Sequence, residues 1–216
     1  APSDHLITDT NRFTSIVDTA RSQAQREDCL VTIGIKPSRP DTGYGYIQFN
    51  HDEELVSGSI KHVKKFTEKP NKELAELFMK SGDYYWNSGI FIWTAKSIIN
   101  ALYKFKPMVN QLFENVGYGS ENEQEQVNQA FEKSEDISID FAVMENAKNV
   151  YVVLADFGWS DLGTWGSLYT HMDQDYNGNA ITGESTFLFD CKDSIVKMPN
   201  DKLVVLQGLK DYIVVE

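Results

Sequence analysis

The sequence predicts an α/β fold, in which a parallel or mixed sheet is covered by helices, followed by a smaller all-β segment. Amphipathic helices alternate with short apolar strands over residues 1–176, which is the pattern of a sheet with helices on its faces. Beyond Asn177, strands follow one another at intervals of ~8–10 residues without helical periodicity, which is typical of a small sandwich or one coil of a β-solenoid. We therefore predict two domains, 1–176 and 177–216. The strands of the second are expected at 186–191, 194–198, 202–206 and 211–215.

The first domain begins with a helix and a buried strand. Apolar side chains recur at steps of three and four residues from Phe13 to Ala24, which predicts a helix of about 15 residues. Leu30–Ile35 follows as an uninterrupted apolar strand. Pro107 should break a long helical stretch, and a polar tip at His51–Glu54 should join two strands. The remaining elements are strands at 44–49, 60–66, 84–93 and 150–154, and helices near 74–78, 95–131, 139–144 and 163–172.

The composition excludes several classes of protein. The 216 residues carry 20 Lys and Arg against 32 Asp and Glu, a net charge of −12, so a nucleic-acid partner is not expected. No apolar run reaches the ~18 residues of a membrane span, and no signal sequence precedes the first helix. With only Cys29 and Cys191 present, a secreted disulfide framework is not expected either. These features predict a cytoplasmic protein without nucleic-acid or membrane partners, and a homodimer is compatible with them.

Two aspartates far apart in the sequence are candidate metal ligands. Asp161 lies in the glycine- and tryptophan-rich string FGWSDLGTW, where a buried carboxylate needs a partner. Asp4 precedes the first helix, where a turn or capping role is an equally good interpretation. Two carboxylates that converge at strand-to-helix junctions would suit Mg²⁺, which takes few protein carboxylates and keeps positions for phosphate oxygens.

Four further residues are candidates for binding a phosphorylated ligand. Gly45, in TGYGYI, marks either a tight turn or a close approach of the backbone to a ligand. Glu68 and Lys69, in FTEKP, are either a solvated ion pair or a hydroxyl acceptor beside a phosphate-binding cation. Pro70 should hold Lys69 in an extended conformation. Asn87, in WNSGIFIW, marks either a β-bulge or an amide that discriminates between sugar hydroxyls.

Six strings, in their order and spacing, resemble those of the mannose-1-phosphate guanylyltransferases (GDP-mannose pyrophosphorylases). They are PSDH, GIKPSRPDTGYGYI, FTEKP, WNSGIFIW, SIDFAVMEN and FGWSDLGTW, and the likeness covers essentially residues 1–210. The resemblance implies a Rossmann-like nucleotide-diphospho-sugar transferase fold followed by a β-helix-like segment. It also implies transfer of GMP from GTP to α-D-mannose 1-phosphate, giving GDP-mannose and diphosphate, with Mg²⁺ as cofactor.

The resemblance implies three catalytic residues in this sequence. Asp4 and Asp161 correspond to the two metal-binding aspartates, and Lys69 corresponds to the cation that meets the sugar phosphate. The alternatives are a nucleotidyltransferase for another hexose 1-phosphate, and a catalytically silent homologue that binds a nucleotide sugar. The presence of all three residues weighs against the silent homologue, because a regulator has no need of a metal pair.

The resemblance also implies the contacts to the sugar. Gly45 would offer its backbone N–H, Glu68 would accept from mannose hydroxyls, and Asn87 would contact a further hydroxyl, while Lys69 would bind the phosphate. Asp140, in SIDFAVMEN, receives no chemistry and is expected to pack a helix.

One family feature has no counterpart in this sequence. The family opens with a glycine-rich loop that carries an Arg and a Lys and holds the nucleotide phosphates, and no such segment occurs among these 216 residues. We therefore expect the chain to be part of a longer protein. We also expect the 216-residue chain to be inactive alone.

Overall fold

The computed structural model describes residues 1–50 and 59–216. The strands are β1 Leu6–Ile7, β2 Leu30–Ile35, β3 Tyr46–Phe49, β4 Ile60–Thr67, β5 Tyr84–Ile92, β6 Val150–Ala155, β7 Trp159–Ser160, β8 Ala180–Thr182, β9 Thr186–Phe189, β10 Ile195–Lys197, β11 Val204–Gln207 and β12 Ile213–Val215. The helices are α1 Thr10–Arg26, α2 Lys72–Ser81, α3 Ala95–Phe105, α4 Pro107–Glu114, α5 Glu123–Lys133 and α6 Trp165–Tyr169, with a π-helical turn at Asp140–Met144. The predicted polar tip at His51–Glu54 lies outside the described residues.

Five strands pair in a closed cycle, β2–β5–β3–β4–β6 and back to β2. The β2–β6 pair is parallel and the other four pairs are antiparallel, so the predicted mixed sheet is confirmed. Every residue of β2 is buried, which explains its uninterrupted apolar sequence. The closure through β4 and β6 was not predicted, because it depends on pairing between strands that are remote along the chain.

Side-chain caps fix the starts of α1 and α2. Asp9 accepts a hydrogen bond from the backbone N–H of Arg12, and Asn71 accepts one from that of Leu74, both at 2.9 Å. Each bond satisfies an N–H group that has no partner inside its helix. The first helix is therefore capped by Asp9, and Asp4 does not have the capping role that the sequence left open.

The helical stretch predicted at 95–131 consists of three helices. Pro107 is the first residue of α4, a position where its missing N–H has no intrahelical partner to lose. The helix predicted at 163–172 is shorter, because a reciprocal cap between Thr164 and Ser167 starts α6 at Trp165. The strands β1, β7 and β8 were not predicted, since two or three residues are too few to show an alternating pattern.

The C-terminal strands form two parallel sheets that the chain visits alternately. One sheet has the order β12–β10–β8, and the other pairs β11 with β9. All three pairings are parallel and in register. A chain that leaves one sheet, passes through the other and returns in the same direction winds as a coil, as in a β-solenoid. The β-helix-like segment is therefore confirmed, and the parallel pairing does not support the sandwich-like alternative.

The chain separates into two compact units. The first unit comprises Ala1–Ser3 and Ile7–Trp159, and the second comprises Asp4–Leu6 and Ser160–Glu216. The predicted domain boundary near Asn177 lies further along the chain and stays a prediction. Within residues 1–50 and 59–216, no helix has both the length and the apolar character that crossing a membrane requires.

Candidate functional site

Four of the predicted site residues meet in the first unit. Gly45 lies directly before β3, Glu68 and Lys69 follow β4, and Asn87 lies within β5. Since β3 pairs with both β4 and β5, the sheet brings these segments side by side. The backbone N–H of Asn87 donates to the carbonyl oxygen of Gly45 at 2.8 Å.

Gly45 leaves the space that the Glu68 carboxylate occupies. A Cβ at position 45 would overlap Oε2 of Glu68 and would lie 3.4 Å from Cβ of Asn87. The φ of Gly45 is outside the left-handed region, so a turn conformation does not explain this glycine. The close approach of a neighbouring side chain does.

The loop before Gly45 is fixed by Arg39. The guanidinium pairs with Asp41 at 2.7 Å, and its central carbon lies 5.4 Å from the ring centroid of Trp86 and 5.8 Å from that of Tyr44. Cation–π contacts of this kind hold a guanidinium against an aromatic face. The backbone that leads into Gly45 is thereby held against β5.

Asn87 lies at a bulge in β5 and is held by three hydrogen bonds. The register between β2 and β5 shifts between Thr32 and Gly34, and Gly89 has a φ of 70°. The Asn87 Oδ1 accepts from Thr32 Oγ1 at 3.1 Å and from the Gly89 N–H at 3.3 Å. Its Nδ2 donates to Asp140 Oδ1 at 2.8 Å. The two interpretations of Asn87, a β-bulge and an amide that contacts sugar hydroxyls, are therefore compatible, because a bulge changes the direction of a side chain.

Asp140 lies at this site, although its sequence context predicts no role in binding. We expected it to pack a helix, whereas it opens the π-helical turn and accepts the hydrogen bond from Asn87. π-helical turns are rare and recur at functional sites. The available signal was a carboxylate between Ile139 and Phe141 in an otherwise apolar run. We call Glu68, Asn87 and Asp140 the carboxylate–amide cluster.

The carboxyl groups of this cluster are electrostatically strained. Burial raises the pKa of Glu68 above its ordinary value, and the charge of Asp140 raises it further, while Lys69 acts in the opposite direction. Burial also raises the pKa of Asp140, against the hydrogen bond from Asn87 and the charge of Lys69. Hydrogen-bond donors and positive charge both stabilise such carboxylates. The cluster is therefore suited to a ligand that donates hydroxyl hydrogens.

Lys69 does not have the predicted extended conformation. Its φ of 43° lies in the left-handed region, although Pro70 favours an extended residue before it. The cause is the short connection from β4 to α2, in which Asn71 already caps the helix. Such a conformation costs a residue with a Cβ roughly 1–3 kcal/mol and recurs at ligand sites.

The ion pair between Lys69 and Glu68 is asymmetric. Lys69 Nζ lies 3.8 Å from Glu68 Oε1, and the Lys69 side chain is 67% exposed whereas that of Glu68 is 15% exposed. An exposed pair at this distance contributes little to stability. The ammonium group is consequently accessible to an anionic ligand, while the carboxylate faces the cluster.

Asp4 and Asp161 both belong to the second unit. Asp4 lies two residues before β1 and Asp161 directly follows β7, and these strands form a two-stranded sheet. The residues after β1 donate to the carbonyl groups before β7, Thr8 to Gly158 at 3.1 Å and Asp9 to Phe157 at 3.0 Å. The two segments therefore run antiparallel, which brings the start of β1 to the end of β7. The two aspartates flank that end of the sheet.

The donor set at this end of the sheet fits Mg²⁺ better than zinc. Asp4 is exposed, and Asp161 Oδ1 accepts from the Gly163 N–H at 3.1 Å. In the described part of the chain, no group of three or more His, Cys, Asp and Glu side chains could hold a metal ion. Zinc requires three or four such ligands, whereas Mg²⁺ binds through one or two carboxylates together with water and substrate phosphates.

Known proteins resemble this chain over its whole length. The model of the nucleotidyl transferase family matches residues 1–178. The chain is 38% identical over 218 residues to the xanthan biosynthesis protein XanB of Xanthomonas campestris pv. campestris, a match that covers 100% of this chain and 45% of that protein. It is 33% identical over 216 residues to a mannose-1-phosphate guanylyltransferase of Klebsiella pneumoniae, covering 99% and 45%. The chain thus spans a little under half the length of these relatives.

Solved structures show the same fold. A structure titled mannose-1-phosphate geranyltransferase, from Thermus thermophilus, superposes with a TM-score of 0.82 at 28% identity, over 100% of this chain and 61% of that chain. A structure titled mannose-6-phosphate isomerase, from Helicobacter pylori, gives a TM-score of 0.62 at 31% identity, over 74% and 62%. The nucleotide-diphospho-sugar transferase fold implied by the six strings is therefore confirmed.

Proposed function

The chain belongs to the nucleotidyl transferase family, and we propose that the protein acts within it as a mannose-1-phosphate guanylyltransferase. This enzyme transfers GMP from GTP to α-D-mannose 1-phosphate and releases diphosphate. The name of the Klebsiella pneumoniae relative supports the proposal. The observation that carries it is the convergence of Gly45, Glu68, Lys69 and Asn87 in one unit.

The sugar phosphate would bind at the carboxylate–amide cluster. Glu68 accepts hydrogen bonds from sugar hydroxyls, because its half-buried carboxylate gains from each donor that reaches it. Lys69 places an exposed ammonium group beside this carboxylate and neutralises the phosphate of the sugar as a compact point charge. Free hexose would meet only the first of these two interactions.

The reaction requires alignment and charge neutralisation rather than a general base. A phosphate oxygen of mannose 1-phosphate attacks the α-phosphorus of GTP in line, a new O–P bond forms, and diphosphate leaves with the electrons of the broken bond. The attacking phosphate is already ionised near neutral pH, since the second pKa of a phosphate monoester is about 6. Lys69 lowers the repulsion between the two anions, and the cluster fixes the direction of the attacking oxygen.

Asp4 and Asp161 would hold Mg²⁺, which supplies positive charge to phosphate oxygens. Their carboxylate chemistry and their position at one end of a small sheet support this assignment. The cytoplasmic location and the homodimer that the sequence favours stay predictions.

Two measurements test the proposal. In calorimetric titrations, the 216-residue chain should bind α-D-mannose 1-phosphate more tightly than free mannose, and more tightly than α-D-glucose 1-phosphate. The full-length gene product that contains this chain should release diphosphate from GTP only when mannose 1-phosphate and Mg²⁺ are present. Equal binding of all three sugars, or turnover with glucose 1-phosphate at the same rate, would refute the assignment.

A further inference from the structure

The hydrogen bonds of Asn87 within the described residues leave one N–H of its side-chain amide for a ligand. Among the described residues, Oδ1 accepts from Thr32 Oγ1 at 3.1 Å and from the Gly89 N–H at 3.3 Å, while Nδ2 donates to Asp140 Oδ1 at 2.8 Å. An amide oxygen has two lone pairs, and an amide nitrogen has two hydrogens. The Gly89 N–H uses one acceptor position, and the Thr32 hydroxyl shares its single hydrogen between Asn87 Oδ1 and the carbonyl oxygen of Ile90 at 3.3 Å. One N–H of Nδ2 remains for a ligand.

The orientation of this amide depends on Asp140. If the amide were rotated by 180°, its oxygen would face the Asp140 carboxylate, and its NH₂ group would face the N–H of Gly89. Both contacts would then be repulsive, because a carboxylate only accepts and a backbone N–H only donates. The bond from Asn87 runs to a carboxyl oxygen of Asp140 at 2.8 Å, and hydrogen bonds to an ionised carboxylate belong to the stronger class in proteins. Asp140 therefore selects one of the two amide orientations.

The carboxylate of Asp140 interacts unfavourably with that of Glu68. Its presence therefore needs an explanation other than packing. The negative charge of Asp140 raises the pKa of Glu68, and burial raises the pKa of Asp140 itself. A residue whose only task is to pack the π-helical turn would not need a charge. The position is explained if the Asp140 oxygen holds Asn87 while Glu68 accepts from the ligand.

We propose that Asp140 is a positioning residue that makes Asn87 a hydrogen-bond donor to the sugar, so that the site distinguishes hexose 1-phosphates by hydroxyl configuration. The proposal rests on the proposed function. The sugar would present a hydroxyl hydrogen to Glu68 and a hydroxyl oxygen to the remaining N–H of Asn87. A hexose with one of these hydroxyls inverted would satisfy only one of the two contacts, and the unpaired polar group would oppose its binding.

The test compares three variants of the 216-residue chain. Asp140→Ala removes the acceptor, and Asp140→Asn keeps an oxygen that can accept from Asn87. Asp136→Ala removes an exposed carboxylate four residues earlier and serves as the matched control. For each protein, calorimetry gives the affinities for α-D-mannose 1-phosphate and for α-D-glucose 1-phosphate, which differ in configuration at C2. NMR of ¹⁵N-labelled protein gives the side-chain amide signals of Asn87.

We expect Asp140→Ala to weaken binding of mannose 1-phosphate by about tenfold or more, the loss of a hydrogen bond to a charged group. It should also reduce the preference over glucose 1-phosphate. Asp140→Asn should restore most of both, and Asp136→Ala should behave as the wild type. The NMR signal of the Asn87 proton bonded to Asp140 should shift in Asp140→Ala and stay close to its wild-type position in Asp140→Asn.

The outcomes separate the inference from the proposed function. If the wild-type chain binds mannose 1-phosphate and Asp140→Ala leaves the affinity, the sugar preference and the Asn87 signals unchanged, the positioning role is wrong and the proposed function stands. If the wild-type chain binds neither sugar phosphate, the proposed function fails and the sugar-reading role fails with it. Should Asp140→Ala not fold, Asn87→Ala decides, because an unchanged affinity and sugar preference in this variant would show that the Asn87 amide does not contact the sugar.

Discussion

The carboxylate–amide cluster and the pair Asp4 and Asp161 are built in different ways. Within the cluster, the Asn87 amide donates to Asp140 and the Asn87 backbone N–H donates to the carbonyl oxygen of Gly45, so Asn87 is held by partners from two other segments of the chain. Asp161 bonds the N–H of a residue two positions along its own loop, and Asp4 is exposed before a strand of two residues.

The comparison teaches which part of the proposed chemistry the fold prepares in advance. The proposed sugar contact of Asn87 is preorganised, because Asp140 and Gly89 already hold the amide in place. The proposed binding of Mg²⁺ would depend on ligands that arrive with the substrates, since two carboxylates complete only part of its coordination. Substitutions in the cluster should accordingly give graded losses of affinity, whereas substitutions of the aspartates should remove turnover.

The largest effect is expected for Asp4 and Asp161, the proposed Mg²⁺ ligands. Asp161→Asn and Asp4→Asn should each lower turnover of the full-length gene product by about 10³-fold, because the reaction loses the charge that stabilises its phosphate oxygens. Binding of mannose 1-phosphate should change by less than about threefold, since it relies on the cluster. Diphosphate release and calorimetry measure the two quantities.

Asp9→Ala is the matched control for this prediction. It removes an aspartate close to Asp4 that caps α1, so it should lower the free energy of unfolding by about 1 kcal/mol without changing the dependence of turnover on Mg²⁺. Wild-type turnover in Asp161→Asn would show that the second region has no catalytic role.

The second effect concerns Lys69. Lys69→Ala should weaken binding of mannose 1-phosphate by about 10- to 100-fold, because it removes the ammonium group that meets the phosphate. Affinity for free mannose should stay the same, so the two affinities should approach each other. Lys72→Ala, which removes an exposed cation at the start of α2, is the control and should leave both affinities unchanged. An equal loss for mannose and for its phosphate would mean that Lys69 acts on the sugar ring or on the fold.

Much of the fold was predictable because local patterns determined it. The helix predicted from Phe13 to Ala24 is α1, and the apolar run Leu30–Ile35 is β2 over the same residues. The helix α1 buries one face, and β2 is buried along its whole length. The apolar pattern of each element is therefore strong in the sequence. Gly45 and Asn87 were also predictable from their strings, TGYGYI and WNSGIFIW. A glycine and an amide are unusual among the aromatic and aliphatic residues of these strings.

The remainder of the site depends on contacts that no local pattern reveals. Asp140 acquires its role from a bond to Asn87, 53 positions earlier in the chain. Lys69 adopts a left-handed backbone because the connection to α2 is short, and that requirement overrides the preference imposed by Pro70. Such features follow from tertiary geometry, which is why functional sites are where sequence-based reasoning most often fails.

A smaller loss is expected from Gly45→Ala, which tests whether the cluster is preorganised. The added Cβ would overlap Oε2 of Glu68, so the carboxylate must move while the backbone keeps a φ that alanine tolerates. Affinity for mannose 1-phosphate should fall by about three- to tenfold, with a melting temperature close to that of the wild type. Gly43→Ala, whose Cβ would lie 3.1 Å from Asp41 Oδ1, is the control in the same loop. If both variants bind equally well, the position of the Glu68 carboxylate is unimportant.

The smallest effect concerns the dependence of stability on pH. The pKa of Glu68 is raised above its ordinary value of 4.5, so folding favours its protonated form. The stability gained in this way is fully present below pH 4.5 and is lost as the pH rises through the folded-state pKa. Glu68→Gln stays neutral at every pH. Its free energy of unfolding should therefore improve relative to that of the wild type as the pH rises above this range.

Glu76→Gln, at an exposed position of α2, is the matched control for this measurement by urea unfolding between pH 4 and 8. If the two variants follow the same course with pH, the half-buried carboxylate of Glu68 carries no electrostatic strain. In that case the cluster would not be set up to receive hydroxyl donors, and the contrast with Asp4 and Asp161 would disappear. If the free energy of unfolding rises with pH relative to the wild type only in Glu68→Gln, the unfavourable charge lies at Glu68, the residue proposed to accept from the sugar.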